Sequence, residues 1–351
     1  MYIEVEMEMT NVIKLAHGAG GSIMDELLSD LVLKSFSKRT VSDDSIGLDS
    51  LDDGATISLT DCDIEIVIST DGHTVDPIFF PGGDIGRLAT SGTINDVAVM
   101  GARPIAIASA LIIEEGFPIS DLKKILQSMD ETAREVDVAI ITGDTKVMPK
   151  GSIDKITVTT TGIGIAPKGS VITDSNLKPG DKIIATGTIG DHGIALLSFR
   201  EGIEFETELK SDCAPIYKVI QSALAVGGVT CMKDPTRGGI ASALNEFAHK
   251  SHVSIWIDEE KIPRRPEVLA ASDMLGLDPL DVACEGIALI GVTSEKAEQT
   301  LEHIQKTRYG EDAAIIGEAK VENPGYVILE TYVGGQRIIE KPVGELIPRV
   351  C

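Results

Sequence analysis

Apolar runs of two lengths alternate along this chain. "IEIVIST" (64–70), "PIAIASALII" (104–113), "VAIITG" (138–143) and "ITVTTTGIGI" (156–165) are short, β-branched and bounded by turn residues, which predicts strands. "DIGRLATSGTINDVAVMG" (84–101) and "SDLKKILQSMDETAREVD" (120–137) are longer, amphipathic and predict helices. The stretch "APKGSVITDSNLKPGDK" (166–182) breaks the pattern with Gly, Pro, Ser and Asp and predicts a domain junction. Beyond it the mixture resumes. "KIIATGTI" (182–189) and "GIALIGVTS" (286–294) predict strands, and "GGIASALNEFAHKS" (238–251) and "SEKAEQTLEHIQKT" (294–307) predict helices. "YVILETYVGGQRIIE" (326–340) carries Gly-Gly between alternating apolar runs, a hairpin signal.

A length of 351 residues exceeds what one core serves, so two α/β domains with mixed sheets are expected. The expected division is an N-terminal segment with a glycine-rich loop (1–40), an N-terminal domain (41–168), a C-terminal domain (169–340) and a mobile tail (341–351). The tail, "KPVGELIPRVC", has two prolines, no periodicity and a cysteine, Cys351, as its last residue.

Charge narrows the partners. Asp and Glu number 55 against 31 Lys and Arg, a formal charge of −24. That excess repels phosphates, which argues against nucleic acid and requires divalent cations for any nucleotide. Cysteines at 62, 213, 231, 284 and 351 have neither disulfide-framework nor metal-type spacing. The N-terminus lacks a signal-peptide pattern, and no run approaches the roughly 20 apolar residues that span a bilayer. A cytoplasmic protein with free thiols, away from membranes, is expected.

Candidate chemistry is acidic. Apolar runs end in small residues and then an aspartate: "IVISTD" gives Asp71, "AIITGD" gives Gly143 and Asp144, and "ATGTIGD" gives Asp191. "LDDGA" adds Asp52 and Asp53, and "TINDVAVMG" adds Asp96. Magnesium takes one or two carboxylates plus phosphate oxygens and water, so repeated aspartates suit it. Each alone equally serves as a turn or cap residue. "HGAGGSIMDELLSD" (17–30) is a glycine-rich loop entering a helix with Ser22 as N-cap, a junction able to hold an anion and equally an ordinary capped turn.

"MKDPTRGGIASALNE" (232–246) joins Asp234, Thr236 and the phosphate-binding fork of Arg237 to two glycines before a helix. Lys146 follows Asp144 by two residues and would set a cation beside the acidic cluster, and a solvated lysine is the plain alternative. Glu285 in "DVACEGIALI" lies against an apolar run; burial there would raise its pKa towards neutrality, whereas an exposed edge glutamate would stay ordinary. His73 follows Asp71.

"HGAGG", "DDGA", "STDGHTVDPIFFPGGDIGRLA", "GTINDVAVMGARP", "GDTKV", "DPTRGG", "ACEGI" and the terminal "PRVC" together resemble the HypE family of hydrogenase maturation factors, the carbamoyl dehydratases. The resemblance runs over essentially the whole chain. Ala19 interrupts a glycine run that is often unbroken in the family. The resemblance implies a two-domain aminoimidazole ribonucleotide synthetase-like (PurM-like) fold and a homodimer joined through N-terminal sheets. It also implies an ATP site between the domains near that interface. It further implies that a carbamoyltransferase, HypF, loads Cys351, that ATP-driven dehydration yields a thiocyanate, and that cyanide passes to iron on a HypC–HypD scaffold for [NiFe]-hydrogenase.

By the same resemblance, Cys351, Glu285, Lys146 and His73 are the catalytic candidates. The nucleotide would be held by Asp53, Asp71, Asp96, Gly143, Asp144, Lys146, Asp234, Thr236 and Arg237. Magnesium would be held by Asp53, Asp71, Asp96, Asp144 and Asp234. A small-molecule kinase or synthetase of the same superfamily, and a non-catalytic chaperone that carries metal on the terminal thiol, are the competing readings.

Overall fold

The computed structural model describes residues 13–59, 62–202 and 209–343. Cys351 and the tail beyond Val343 lie outside the described residues, so the expectations placed on them are not addressed by the fold.

The N-terminal region opens with α1 (Ser22–Leu27), which passes through a π-type turn at Leu28–Val32 into α2 (Leu33–Ser35). Then follow β1 (Ala55–Ser58), β2 (Ile64–His73), a two-strand hairpin of β3 (Phe79–Phe80) and β4 (Gly83–Asp84), α3 (Ile85–Val99), β5 (Arg103–Glu114), α4 (Ile119–Glu135), β6 (Ala139–Met148) and β7 (Ile156–Pro167). Five of these strands form one sheet in the order β1-β2-β7-β5-β6. Only its β5–β6 pair is parallel.

Helix α3 is the centre of the molecule. Asp84 caps its N-terminus, its carboxylate accepting from the Gly86 and Arg87 amides at 2.7 and 3.0 Å. Thirteen of its fifteen residues are buried, because the sheet covers one side and α4 with the second domain covers the other. By contrast α4 buries only Ile125, Met129, Thr132 and Ala133, one stripe at helical spacing.

The second region contains β8 (Lys182–Ala185), α5 (Asp191–Glu201), α6 (Tyr217–Val226), β9 (Val229–Lys233), α7 (Gly239–Ser251), β10 (Ser254–Asp258), α8 (Pro266–Leu275), β11 (Leu289–Val292), α9 (Ala297–Ile304), β12 (Ala314–Lys320), β13 (Val327–Glu330) and β14 (Gln336–Ile339). Its sheet runs β14-β13-β10-β12-β8-β11-β9. The Gly-Gly signal does mark a hairpin, with β13 and β14 antiparallel.

The two regions are tied at α3. Buried Asn95 donates to the carbonyls of Ala214 (3.0 Å) and Glu285 (3.3 Å) and accepts from the Ile216 amide (2.9 Å). Arg87 donates to the Cys213 carbonyl at 2.7 Å, to Glu135 at 2.8 Å and to the Tyr309 hydroxyl at 3.1 Å.

Three local expectations change. Gly21, not Ser22, is the N-cap, and Ser22 is already the first helical residue. The 182–189 strand stops at Ala185, and Asp191 is the first residue of α5 rather than a strand exit. Asp71 and Asp144 also lie inside their strands, since pairing of β2 with β7 runs on to His73 and pairing of β6 with β5 runs on to Met148.

Candidate functional site

Ser69, Asp71 and His73 alternate onto one face of β2, where they meet α3. The helix can come close because residue 92 is glycine: a Cβ there would sit 3.1 Å from His73 Nε2 and 3.9 Å from Asp71 Oδ2. One turn later the Asp96 carboxylate accepts from the Ser69 hydroxyl at 2.6 Å. Asp53 stands just before β1. One of its oxygens accepts from the ammonium of Lys233, at the end of β9, and the other is buried without a partner. Asp234 follows Lys233 directly and is buried.

Charge is concentrated here in buried surroundings. Burial first, then the charges of Asp71, Asp234 and Asp53, push Asp96 well above the usual carboxylate range. Asp234 is raised to about 8 by burial and by Asp53, against the pull of Lys233. Glu285, only 7% exposed, is lifted well above the ordinary glutamate value by burial, then by Asp212, Asp234 and Asp71, while Arg237 opposes the shift. The upward direction matches the sequence reading, but neighbouring carboxylates add to the apolar setting. His73 is lowered by burial chiefly, with Asp71 raising and Arg237 lowering it, so the imidazole stays neutral.

The glycine-rich loop docks beside this cluster. Ser242 of α7 donates to the Gly20 carbonyl at 3.1 Å. Thr236 closes the Asp-Pro-Thr turn through its amide to the Asp234 carbonyl at 3.1 Å and accepts from the Gly239 amide at 3.1 Å. Both domains therefore contribute to one cleft: Asp53, Asp71, His73 and Asp96 from the first, and Lys233, Asp234, Thr236, Arg237 and Glu285 from the second.

An AIR synthase related protein N-terminal domain matches residues 51–166, and its C-terminal domain matches residues 178–330. The carbamoyl dehydratase HypE of Rhizobium leguminosarum bv. viciae is 44% identical over 341 residues, covering 97% of this chain and 95% of that protein. The chain belongs to the HypE carbamoyl dehydratase family. A chain of the crystal structure of a HypE–HypF complex superposes with a TM-score of 0.82 at 41% identity, covering 90% of this chain and 99% of that one. HypE in complex with ATP superposes with a TM-score of 0.79 at 39% identity, covering 97% and 100%.

Measured against what the HypE resemblance implied, one group of residues stands elsewhere. Gly143, Asp144 and Lys146 lie on β6, exposed along an edge that is three strands from β2. At about 4.8 Å per strand that is roughly 14 Å of lateral separation, so within one chain Lys146 is not beside the acidic cluster. Nor is there a ready-made cage. Among the described residues, no group of three or more His, Cys, Asp or Glu side chains could hold a metal ion. Lys233 occupies one oxygen of Asp53, and Ser69 occupies one of Asp96.

The HypE motifs also left some partners unread. Asp212 receives the Glu285 and Gly286 amides at 3.0–3.2 Å and is itself raised to about 7 by burial and then Asp191. Nothing in "KSDCAP" announces that. Lys233 carried a visible sign, a lysine closing an apolar strand, and it faces Asp53, Glu246 (3.4 Å) and Asp174 (3.9 Å). Lys250 grips Asp174 at 2.6 Å and the Ser50 and Leu51 carbonyls at 2.9 Å each, which fixes the corner that presents Asp52 and Asp53. Asp52 is raised to about 7 by burial, then Asp174 and Asp53.

Proposed function

We propose that this chain dehydrates a carbamoyl group carried on the Cys351 thiol to a thiocyanate at the expense of ATP, supplying cyanide for the iron centre of [NiFe]-hydrogenase. The observation that carries the reading is the cleft between the domains. There Glu285, buried and lifted well above the ordinary glutamate value by burial and then by neighbouring aspartates, stands near aspartates and an arginine suited to a nucleotide. The relatives named carbamoyl dehydratase, the HypE structure with ATP and the HypE–HypF complex support the substrate, the nucleotide and HypF as the loading enzyme. A HypC–HypD scaffold is the iron-bearing acceptor in this reading, and the tail from 341 onward is its carrier arm.

The thiocarbamate Cys-S-C(=O)-NH₂ must lose its oxygen and two nitrogen-bound protons. Oxide leaves badly, so the carbonyl oxygen attacks the γ-phosphorus, ADP departs, and the oxygen then leaves as phosphate while the C≡N bond forms. Arg237 and the backbone of the Gly20 and Gly238 loops suit phosphate positioning. Glu285, with its raised pKa, accepts a proton from the nitrogen, and neutral His73 is the second candidate beside it.

The aspartates fit magnesium. Asp53 keeps a buried unpartnered oxygen, and burial raises Asp96 and Asp234, with the charges of Asp53 and Asp71 adding to it, a cost that a divalent cation relieves. Magnesium needs only one or two carboxylates beside phosphate oxygens and water, so one or two of Asp53, Asp71, Asp96 and Asp234 would hold it without a three-ligand cage, and when bound it would neutralise the nucleotide's phosphates.

A homodimer through β6 completes the proposal. The strand is exposed over its length, with Ile141 61% and Val147 64% exposed beside a shallow 360 Å³ hollow lined by Leu126, Met129 and Ile140. Long exposed edges of this kind invite pairing. A second copy there would cover the edge that carries Asp144 and Lys146. Intact-mass analysis after incubation with the carbamoyltransferase system and ATP tests the chemistry. A carbamoyl adduct that then loses water is expected, with neither species in Cys351→Ala and only the first in Glu285→Gln. Normal dehydration by Glu285→Gln removes that residue from the mechanism.

A further inference from the structure

The root of the C-terminal segment is not loose. Lys341 donates to both oxygens of Asp25 on α1, at 2.9 and 2.7 Å, and to Glu246 on α7 at 2.9 Å. Its neighbour Pro342 accepts from the Ser22 amide at 3.3 Å, and Asn245 donates to the Ile339 carbonyl at 3.1 Å. Glu246 is shared: its other oxygen lies 3.4 Å from Lys233, the ammonium that neutralises Asp53.

We propose that Lys341, Glu246 and Lys233 form an ion-pair relay that couples the Asp53 corner of the cleft to the seating of the C-terminal segment's root. Two ammonium groups compete for one carboxylate. When a cation-bearing nucleotide engages Asp53, Lys233 is displaced from it. Of the carboxylates around Lys233, Glu246 at 3.4 Å is nearer than Asp174 at 3.9 Å, and Lys250 holds Asp174 at 2.6 Å, more closely than Lys341 holds Glu246 at 2.9 Å, so Glu246 is the acceptor that takes up the released charge. A tighter Lys233–Glu246 pair weakens the hold of Glu246 on Lys341. Coupling of this kind is reciprocal, so loss of Lys341 must ease nucleotide entry by the factor with which nucleotide loosens Lys341. The inference rests on the nucleotide reading of the acidic cluster.

The relay predicts opposite signs for two variants, which general destabilisation cannot produce. With magnesium and a non-hydrolysable ATP analogue as probe, calorimetry should show Lys341→Ala binding about five-fold tighter and Glu246→Gln about five-fold weaker, the lower end of usual couplings. Lys341→Arg should stay near wild type, and Lys341→Ala should add nothing once Glu246→Gln is present. In wild type the probe should speed hydrogen exchange of the Ser22 amide by a similar factor, and in Glu246→Gln it should not. If Glu246→Gln fails to fold, Lys341→Ala and the exchange measurement decide.

Variants that shift affinity in the same direction, or leave it unchanged while wild type binds the probe, overturn the relay and spare the nucleotide reading. A wild-type protein that does not bind the probe overturns both.

Discussion

Replacing Lys233 by methionine keeps the aliphatic stem and deletes the ammonium at the centre of the acidic corner. The lysine side chain is 14% exposed and faces Asp53, Glu246 and Asp174. Breaking a buried ionic group by removing one member costs about 3–5 kcal/mol, mostly because the remaining charges are left uncompensated. Glu246 keeps Lys341 and Asp174 keeps Lys250, so the loss falls on Asp53, whose second oxygen already lacks a partner. That places the expected destabilisation near the lower end, about 3 kcal/mol at pH 7.5. The pH dependence has a definite sign. Burial already raises the Asp53 carboxyl, and removing the ammonium raises it further. The folded variant then binds a proton that the unfolded chain releases, so its stability climbs as pH falls, by up to about 1.4 kcal/mol per unit for one group. Urea unfolding of both proteins at pH 7.5 and 5.5 measures this, and the deficit should shrink to about 1–2 kcal/mol at the lower pH. A loss under about 1 kcal/mol at pH 7.5, or a deficit that widens on acidification, would refute the ionic account.

Other outcomes follow from the same coordinates. His192 is lowered to about 3 by burial and then Arg200, with Ser211 on its Nδ1 and Phe80 edge-on, so folding excludes its proton. That contribution is intact above pH 6.5 and lost as pH falls towards 3; relative to His192→Gln, wild type should lose about 2 kcal/mol between pH 7.5 and 5 in thermal or urea unfolding. Gly239 has φ +56°, and a Cβ there would lie 2.4 Å from the Leu280 carbonyl oxygen, so Gly239→Ala should cost at least about 2 kcal/mol of stability and weaken nucleotide binding measured by calorimetry. Ile141→Lys on the β6 edge should yield a smaller particle by light scattering, and an unchanged particle size would remove β6 as the dimer edge.

Much of this was written in local pattern. Four of the five strands in the N-terminal sheet and the helices α3 and α4 follow from period and β-branching, because each is long and one-sided or wholly apolar. The motif "DPTRGG" foretold a tight turn, which the Thr236 amide and carbonyl close and which carries Asp234 and Arg237. What failed was reading side-chain position from sequence neighbours. Asp144 and Asp71 follow similar small residues in similar strands, yet one faces α3 and the other lies on an open edge, because strand order is a long-range property. Ser22 lost the cap to Gly21, whose extended backbone makes the entry without a side chain. Asp212 and Glu285 meet across 73 positions through backbone amides, a contact no short window contains.

The grip of Lys250 on the Ser50 and Leu51 carbonyls joins residues about 200 positions apart. At a synthesis rate of roughly 5–20 residues per second, that fastening waits on the order of 10–40 s after Ser50 and Leu51 have been made. Until then the corner that presents Asp52 and Asp53 has its backbone unsecured, so the acidic cluster is completed only once α7 has been made.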